Sequence, residues 1–111
     1  MRAAFLDKAG VIVLRDYEEA APLKPDDVRI RIMATGVCGS DVHFFEHGRI
    51  GPFIVESPLI LGHELSGVVE ELGSNVTRLK VGDHVSVEPG VPCFQCETCK
   101  RGFYNVCSRV T

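Results

Sequence analysis

Cys93-Phe94-Gln95-Cys96-Glu97-Thr98-Cys99-Lys100-Arg101-Gly102-Phe103-Tyr104-Asn105-Val106-Cys107 places four of the five cysteines of the chain in one short stretch, at spacings of two, two and seven residues. From Val91 onward the sequence carries no apolar period, so packing alone does not account for its order. Thiolates spaced two apart can curl round one ion while backbone amides of the turn bond to the sulfurs, and Cys107 returns from its loop as a fourth ligand. That is the donor set of a closed, tetrahedral structural zinc site, whose binding energy folds a segment with little core of its own. Three other readings compete. A redox Cys-x-x-Cys pair expects a βαβ setting, and none surrounds it. A bacterial-type iron–sulfur run ends with a spacing of three and a proline; here the spacing is seven and Ser108 follows. Free buried thiols remain the third. Ligand count and spacing favour zinc, with the lobe spanning residues 91–108.

Upstream of this lobe the signals are those of strands. Residues 3–7 and 11–17 read as two strands about a turn at Lys8-Ala9-Gly10, and Pro22, Pro25, Asp26 and Asp27 mark a loop. Val28-Arg29-Ile30-Arg31-Ile32 alternates apolar and basic residues, predicting one buried and one wet face, with Gly36 closing the run. Residues 40–47 suit a short helix with Ser40 or Asp41 as its cap. Residues 48–58, with two glycines and two prolines, read as a loop. A strand over 65–72 turns at Gly73-Ser74-Asn75, and 81–88 alternates again, with Val85 and Val87 on one face, until Pro89-Gly90. Many short strands between glycine turns predict a mainly β fold of barrel type with short helices.

The 111 residues suit one domain, and 45% hydrophobic with 24% charged residues allow both a core and a wetted surface. A net charge of −3 gives no attraction to nucleic acid or anionic lipid. No apolar run reaches the roughly 18 residues of a membrane span. The first residues are too short and too charged for a signal peptide, since Asp7 and Lys8 interrupt them. Cytoplasmic residence is the expectation, and clustered thiols of odd number fit a reducing compartment.

Cys38 is left over, within Gly36-Val37-Cys38-Gly39-Ser40-Asp41-Val42-His43, and Gly62-His63-Glu64 follows. Thiolate, imidazole and carboxylate are all zinc ligands, and three of them with an open position suit a catalytic ion. Taken singly, Cys38 equally reads as a buried apolar residue and His63 as a structural one. Ser40 and Asp41 equally read as helix caps, His43 as a surface residue and Phe44 and Phe45 as core or pocket wall. Gly36, Gly39, Gly62, Gly67 and Gly82 read as turn or close-packing positions, and His84 as structural.

Taken together, Gly36 to His43, Gly62-His63-Glu64, Gly67, Val81-Gly82-Asp83-His84-Val85 and the four-cysteine lobe resemble the zinc-dependent medium-chain dehydrogenases. The resemblance runs along essentially the whole chain. It is nearest to the polyol branch of sorbitol, xylitol and L-iditol dehydrogenases, through the Cys38–His43 segment and Val87-Glu88-Pro89-Gly90-Val91-Pro92-Cys93. It implies that residues 1–111 are the N-terminal part of a GroES-like β-barrel catalytic domain with a zinc-stabilised loop lobe. It implies Zn2+ in two roles: catalytic at Cys38 and His63, with Glu64 as a metal ligand or its near neighbour, and structural at Cys93, Cys96, Cys99 and Cys107. A further catalytic ligand would lie beyond Thr111. Ser40 would take the substrate hydroxyl proton, His43 would pass it to solvent, and Asp41 would hold the His63 tautomer. The implied reaction moves a hydride from a secondary hydroxyl of a small-molecule alcohol or polyol to NAD or NADP.

No Gly-x-Gly-x-x-Gly opens a helix in this chain, so the nicotinamide cofactor is expected on a Rossmann domain outside it. The chain reads as part of a longer enzyme, homo-oligomeric at full length and inactive as this piece alone. Many polyol relatives carry tyrosine where Phe44 stands, so threonine or a simple secondary alcohol are alternative substrates. A zinc-stabilised binding module and a GroES-like co-chaperonin are the non-enzymatic alternatives. Neither needs Cys38, His63 and Glu64.

Overall fold

Residues 1–18 and 22–110 are described by the computed structural model, with 19–21 and 111 outside that description. Two strands open the chain, β1 (Arg2–Lys8) and β2 (Val11–Asp16), paired antiparallel about the Ala9-Gly10 turn. Gly10 has φ +74°, a conformation that favours glycine, and its N–H donates to the Phe45 carbonyl at 2.6 Å. The hairpin tip is thereby fastened to α1 (Gly39–His47). β3 (Val28–Gly36) leads into that helix and is followed by the two-residue strands β4 (Arg49–Ile50), β5 (Phe53–Ile54) and β6 (Leu59–Ile60). β7 (Glu64–Leu72) and β8 (His84–Ser86) complete the strands. α2 (Glu97–Lys100) and a 3-10 turn at Tyr104–Val106 lie in the cysteine segment.

The strands form two three-stranded sheets, β2-β1-β6 and β3-β7-β8, and the β4-β5 hairpin. The largest fully buried side chains among the described residues lie one on the central strand of each three-stranded sheet, Leu6 in β1 and Val69 in β7. Burial of a Leu or Val side chain contributes about 1.5–3 kcal/mol. Ile32, Met33, Phe53 and Val81 stay exposed. The radius of gyration is 16.2 Å, against about 13 Å for a self-contained domain of this length. The fold is mainly β, as the turn and strand pattern predicts, and its layers are spread rather than closed on one core.

Three local expectations need correction. The period-two burial expected over 28–32 is absent: Val28 to Ile30 are half-buried and Arg31 to Gly36 exposed. Register shifts at Arg29/Ile30 and Ile32/Ala34 throw the alternation out of phase, and β3 is a sheet edge. The loop expected over 48–58 contains the β4-β5 hairpin, and β6 follows it unforeseen, its two residues too few to show a period. The strand expected over 81–88 shortens to three residues because Gly82, at φ +95°, begins with a turn that the Asp83 carboxylate closes on the Lys80 N–H at 2.8 Å. Alternate burial nonetheless continues from Asp83 to Glu88, with Val85 and Val87 on the inner face.

Gly67 is required by space. A Cβ there would lie 2.3 Å from the Arg31 carbonyl oxygen and 2.7 Å from Ile30 Cγ2. Gly39 has nothing within 4 Å of a Cβ and no positive φ. Gly67→Ala should therefore separate β3 from β7 and destabilise by about 3 kcal/mol, whereas Gly39→Ala should stay within about 0.5 kcal/mol. Thermal or urea unfolding of the two variants measures the difference, and equal effects would contradict the packing argument.

Candidate metal centres

In the cysteine lobe the four sulfurs face one another. Sγ of Cys93 lies 3.5 Å from that of Cys107 and 4.0 Å from that of Cys99, and Cys96 lies 3.9 Å from Cys107. Four sulfurs about 2.3 Å from a common centre stand about 3.8 Å apart, and the observed separations bracket that value. They are far too long for disulfides, and all five cysteines are free. The backbone supports the cluster. The N–H groups of Gln95 and Cys96 donate to Cys93 Sγ at 3.4 and 3.3 Å, and those of Cys93 and Arg109 donate to Cys107 Sγ at 3.4 and 3.3 Å. Phe94 takes φ +53°, the sole non-glycine residue with positive φ among those described. This left-handed step turns the chain between Cys93 and the two amides that reach back to it.

The thiols are electrostatically unequal. Backbone amides of Gln95 and Cys96 hold Cys93 below the ordinary thiol value. The Cys99 amide, foremost, holds Cys96 down to about 5. Burial pushes Cys99 up to about 12, with neighbouring sulfurs adding to the rise. Crowded sulfurs with one resistant thiol suit a dication, which lets all four ionise together.

The second cluster is assembled across the sheet. β3 pairs antiparallel with β7, and the pairing ends at Gly36↔Glu64. Cys38, two residues beyond β3, is therefore brought beside His63, which immediately precedes β7. The Cys38 sulfur, a His63 ring nitrogen and a Glu64 carboxylate oxygen lie within 4.8 Å of one another. Gly62 makes the bend before His63, with φ +113° and room for a Cβ only 3.1 Å from Thr35 Cγ2.

Behind these three lies Asp41, 8% exposed. Its Oδ2 accepts from the Cys38 N–H at 3.0 Å, and its Oδ1 lies 3.5 Å from His63 Nδ1. With Nδ1 turned to this carboxylate, Nε2 is the nitrogen left for an ion, the usual arrangement behind a metal-bound histidine. This geometry also corrects the helix start. Cys38 is the N-cap, in extended conformation, and Asp41 in the first turn bonds back to its amide. Ser40 is one residue inside the helix and half-buried. His43 follows at i+3, exposed, its ring 4.4 Å from that of His47. Residues three apart on a helix are neighbours, with Cβ atoms about 5–6 Å apart.

The remaining residues sort by place. An apolar recess of about 340 Å³ adjoins Asp41 and is walled by Ile12, Val37, Val42, Phe45 and Leu61. Phe44 faces a different recess, with Phe53, Ile54 and Leu59. His84 is exposed on β8 opposite Val68 and joins neither cluster. The feature that spacing leaves unseen is the space over Gly36 into which Glu64 reaches. It follows from strand register, and register is not written in a local motif.

Asp41 serves the helix start as well as the cluster, so its loss should register in stability. Asp41→Ala should cost about 1–2 kcal/mol through the unpaired Cys38 amide and the helix start. It should also speed hydrogen exchange at that amide. Unchanged unfolding and exchange would contradict the contact.

With this geometry in place, the relatives are informative. D-xylulose reductase of Morganella morganii is 51% identical over 106 residues, covering 96% of this chain and 31% of that protein. An Escherichia coli oxidoreductase/dehydrogenase of unknown specificity superposes with a TM-score of 0.85 at 43% identity, over 98% of this chain and 31% of its own. Galactitol-1-phosphate dehydrogenase from Escherichia coli superposes with a TM-score of 0.86 at 33% identity, over 99% of this chain and 31% of its own. The chain thus spans about a third of the length of these proteins. The alcohol dehydrogenase GroES-like domain matches residues 24–111, and the chain belongs to that family.

Proposed function

We propose that this chain is the zinc-binding catalytic domain of a nicotinamide-dependent polyol dehydrogenase, which interconverts a secondary hydroxyl and a ketone. The observation that carries the reading is the convergence of Cys38, His63 and Glu64 in front of the buried Asp41. A non-enzymatic binding module or a co-chaperonin has use for the strands and the sulfur lobe, but none for that convergence. The polyol class rests on similarity to D-xylulose reductase and galactitol-1-phosphate dehydrogenase.

In this reading Cys38, His63 and Glu64 hold a catalytic zinc, and Cys93, Cys96, Cys99 and Cys107 hold a structural one. Zinc held at the first site supplies Lewis-acid polarisation of the substrate oxygen. The protein residues manage the proton. Ser40 accepts it from the substrate hydroxyl and donates its own onward, since a hydroxyl does both without staying charged. His43, one helical step further and exposed, passes it to solvent, since an imidazole both accepts and donates a proton. Asp41 keeps the His63 ring oriented, and the apolar walls beside it limit water. NAD or NADP would supply the hydride acceptor, and the part of this chain would be to orient the alcohol and take its proton.

The test uses the full-length enzyme. Zinc analysis should give two equivalents per chain, and X-ray absorption should place sulfur at about 2.3 Å. Cys38→Ala or His63→Ala should lose one equivalent and lower turnover at least on the order of a thousandfold. Cys96→Ser should remove the other equivalent and lower the melting temperature. Residues 1–111 alone should show no NAD(P)-dependent turnover. Xylitol and sorbitol should be oxidised in preference to threonine and a simple secondary alcohol. Full activity of Cys38→Ala would overturn the catalytic reading, and a preference for threonine would overturn the polyol one.

A further inference from the structure

We propose that Gly36 is a positioning residue for the metal site, its missing side chain being what lets the Glu64 carboxylate stand in the ligand set. This rests on the zinc reading of Cys38, His63 and Glu64. Gly36 and Glu64 are direct cross-strand partners at the end of the β3-β7 ladder. A Cβ at Gly36 would lie 2.6 Å from Glu64 Oε2, 3.1 Å from Glu64 Cβ and 3.6 Å from Glu64 Cδ. The three nearest atoms thus all belong to the Glu64 side chain.

The backbone gives no other reason for glycine here. Gly36 is absent from the residues of positive φ, and its conformation is that of an ordinary strand residue. Gly67, on the same ladder, is different in kind: its clash is led by a backbone carbonyl that cannot move without parting the strands. The closest clash at Gly36 is with the carboxylate end of a flexible side chain on an exposed residue, and Glu64 Cβ at 3.1 Å needs to give by only a few tenths of an ångström. Alanine at position 36 is therefore compatible with the fold and incompatible with the carboxylate's place. Restoring ordinary van der Waals contact of about 3.5 Å displaces the oxygen by about 1 Å. Metal–ligand distances tolerate about 0.2 Å. Position 36 thus tunes the site through Glu64.

The experiment is a double-substitution cycle on the full-length enzyme, using Gly36→Ala, Glu64→Ala and the pair. Metal affinity at the three-ligand site is read by chelator competition, and site geometry by the absorption bands of Co2+ placed there. Gly36→Ala should weaken metal binding about 10- to 100-fold, the range seen for residues that orient ligands. It should shift the cobalt bands, keep the melting temperature within about 2 °C, and leave the four-sulfur site loaded. In the Glu64→Ala background the same change should alter affinity less than about twofold, because coupled residues do not add. An effect of equal size in both backgrounds, or unchanged affinity and cobalt bands in Gly36→Ala, would overturn the proposal. If Glu64→Ala itself left affinity unchanged, the ligand reading of Glu64 would fall, and this inference with it.

Discussion

The antiparallel pairing of β3 with β7 is the constraint on which the rest of the candidate site depends. Its register runs from Val28↔Leu72 to Gly36↔Glu64. Because the strands are antiparallel, the end of one meets the start of the other, and residues 38 and 63 become neighbours. All that lies between them, α1, the β4-β5 hairpin and β6, is an excursion that leaves the ladder and returns to it. The ladder tolerates little change at its middle. Gly67 admits the Arg31 carbonyl so closely that no side chain fits, and Val69 beside it is almost fully buried. The surface ion pairs of the two strands, Arg31 with Glu70 and Arg29 with Glu71, add little by comparison.

The two clusters are built by different physics. The sulfur lobe is local: its four cysteines span fifteen residues, left-handed Phe94 turns the chain after Cys93, and its amides bond to its own sulfurs. Such a segment can be ordered by an ion without help from the sheets, and zinc in comparable peptides contributes about 10–16 kcal/mol. That exceeds what the two buried side chains of the sheets supply. The three-residue cluster is non-local. Its donor atoms meet because of a ladder, a glycine bend at Gly62 and a helix start at Cys38.

This difference explains what was legible in the sequence. The sulfur lobe could be read from spacing, because a local motif carries its own geometry. Cys38, His63 and Glu64 had suitable chemistry but no spacing that required them to meet, and family resemblance was needed to join them. The β1-β2 hairpin and β7 followed from period and turn residues. β3 kept its strand but lost its alternation to two bulges, which leave no mark in composition. β6 was too short to read, yet it brings the chain back to Gly62. The helix cap fell on Cys38 rather than Ser40 or Asp41, because the Asp41 carboxylate bonds backwards to the amide of residue 38 instead of standing at the boundary itself.

That backward bond ties stability to the candidate chemistry. One carboxylate satisfies the amide at the start of α1 and faces the ring of His63. The amide belongs to Cys38, so Asp41 ties down the backbone from which the thiol leaves, while its other oxygen lies 3.5 Å from the His63 ring. A side chain that did only one of these things could be replaced by another cap. Asn in its place keeps an acceptor for the amide but puts no charge beside the ring, and Ser is too short to reach both. The same helix carries Ser40 and His43 on adjacent turns of its surface, so its start also sets where a proton would travel. In the proposed site, helix capping, ligand orientation and relay geometry would therefore share a single buried carboxylate, and a substitution that improved one of them at this position would disturb the other two.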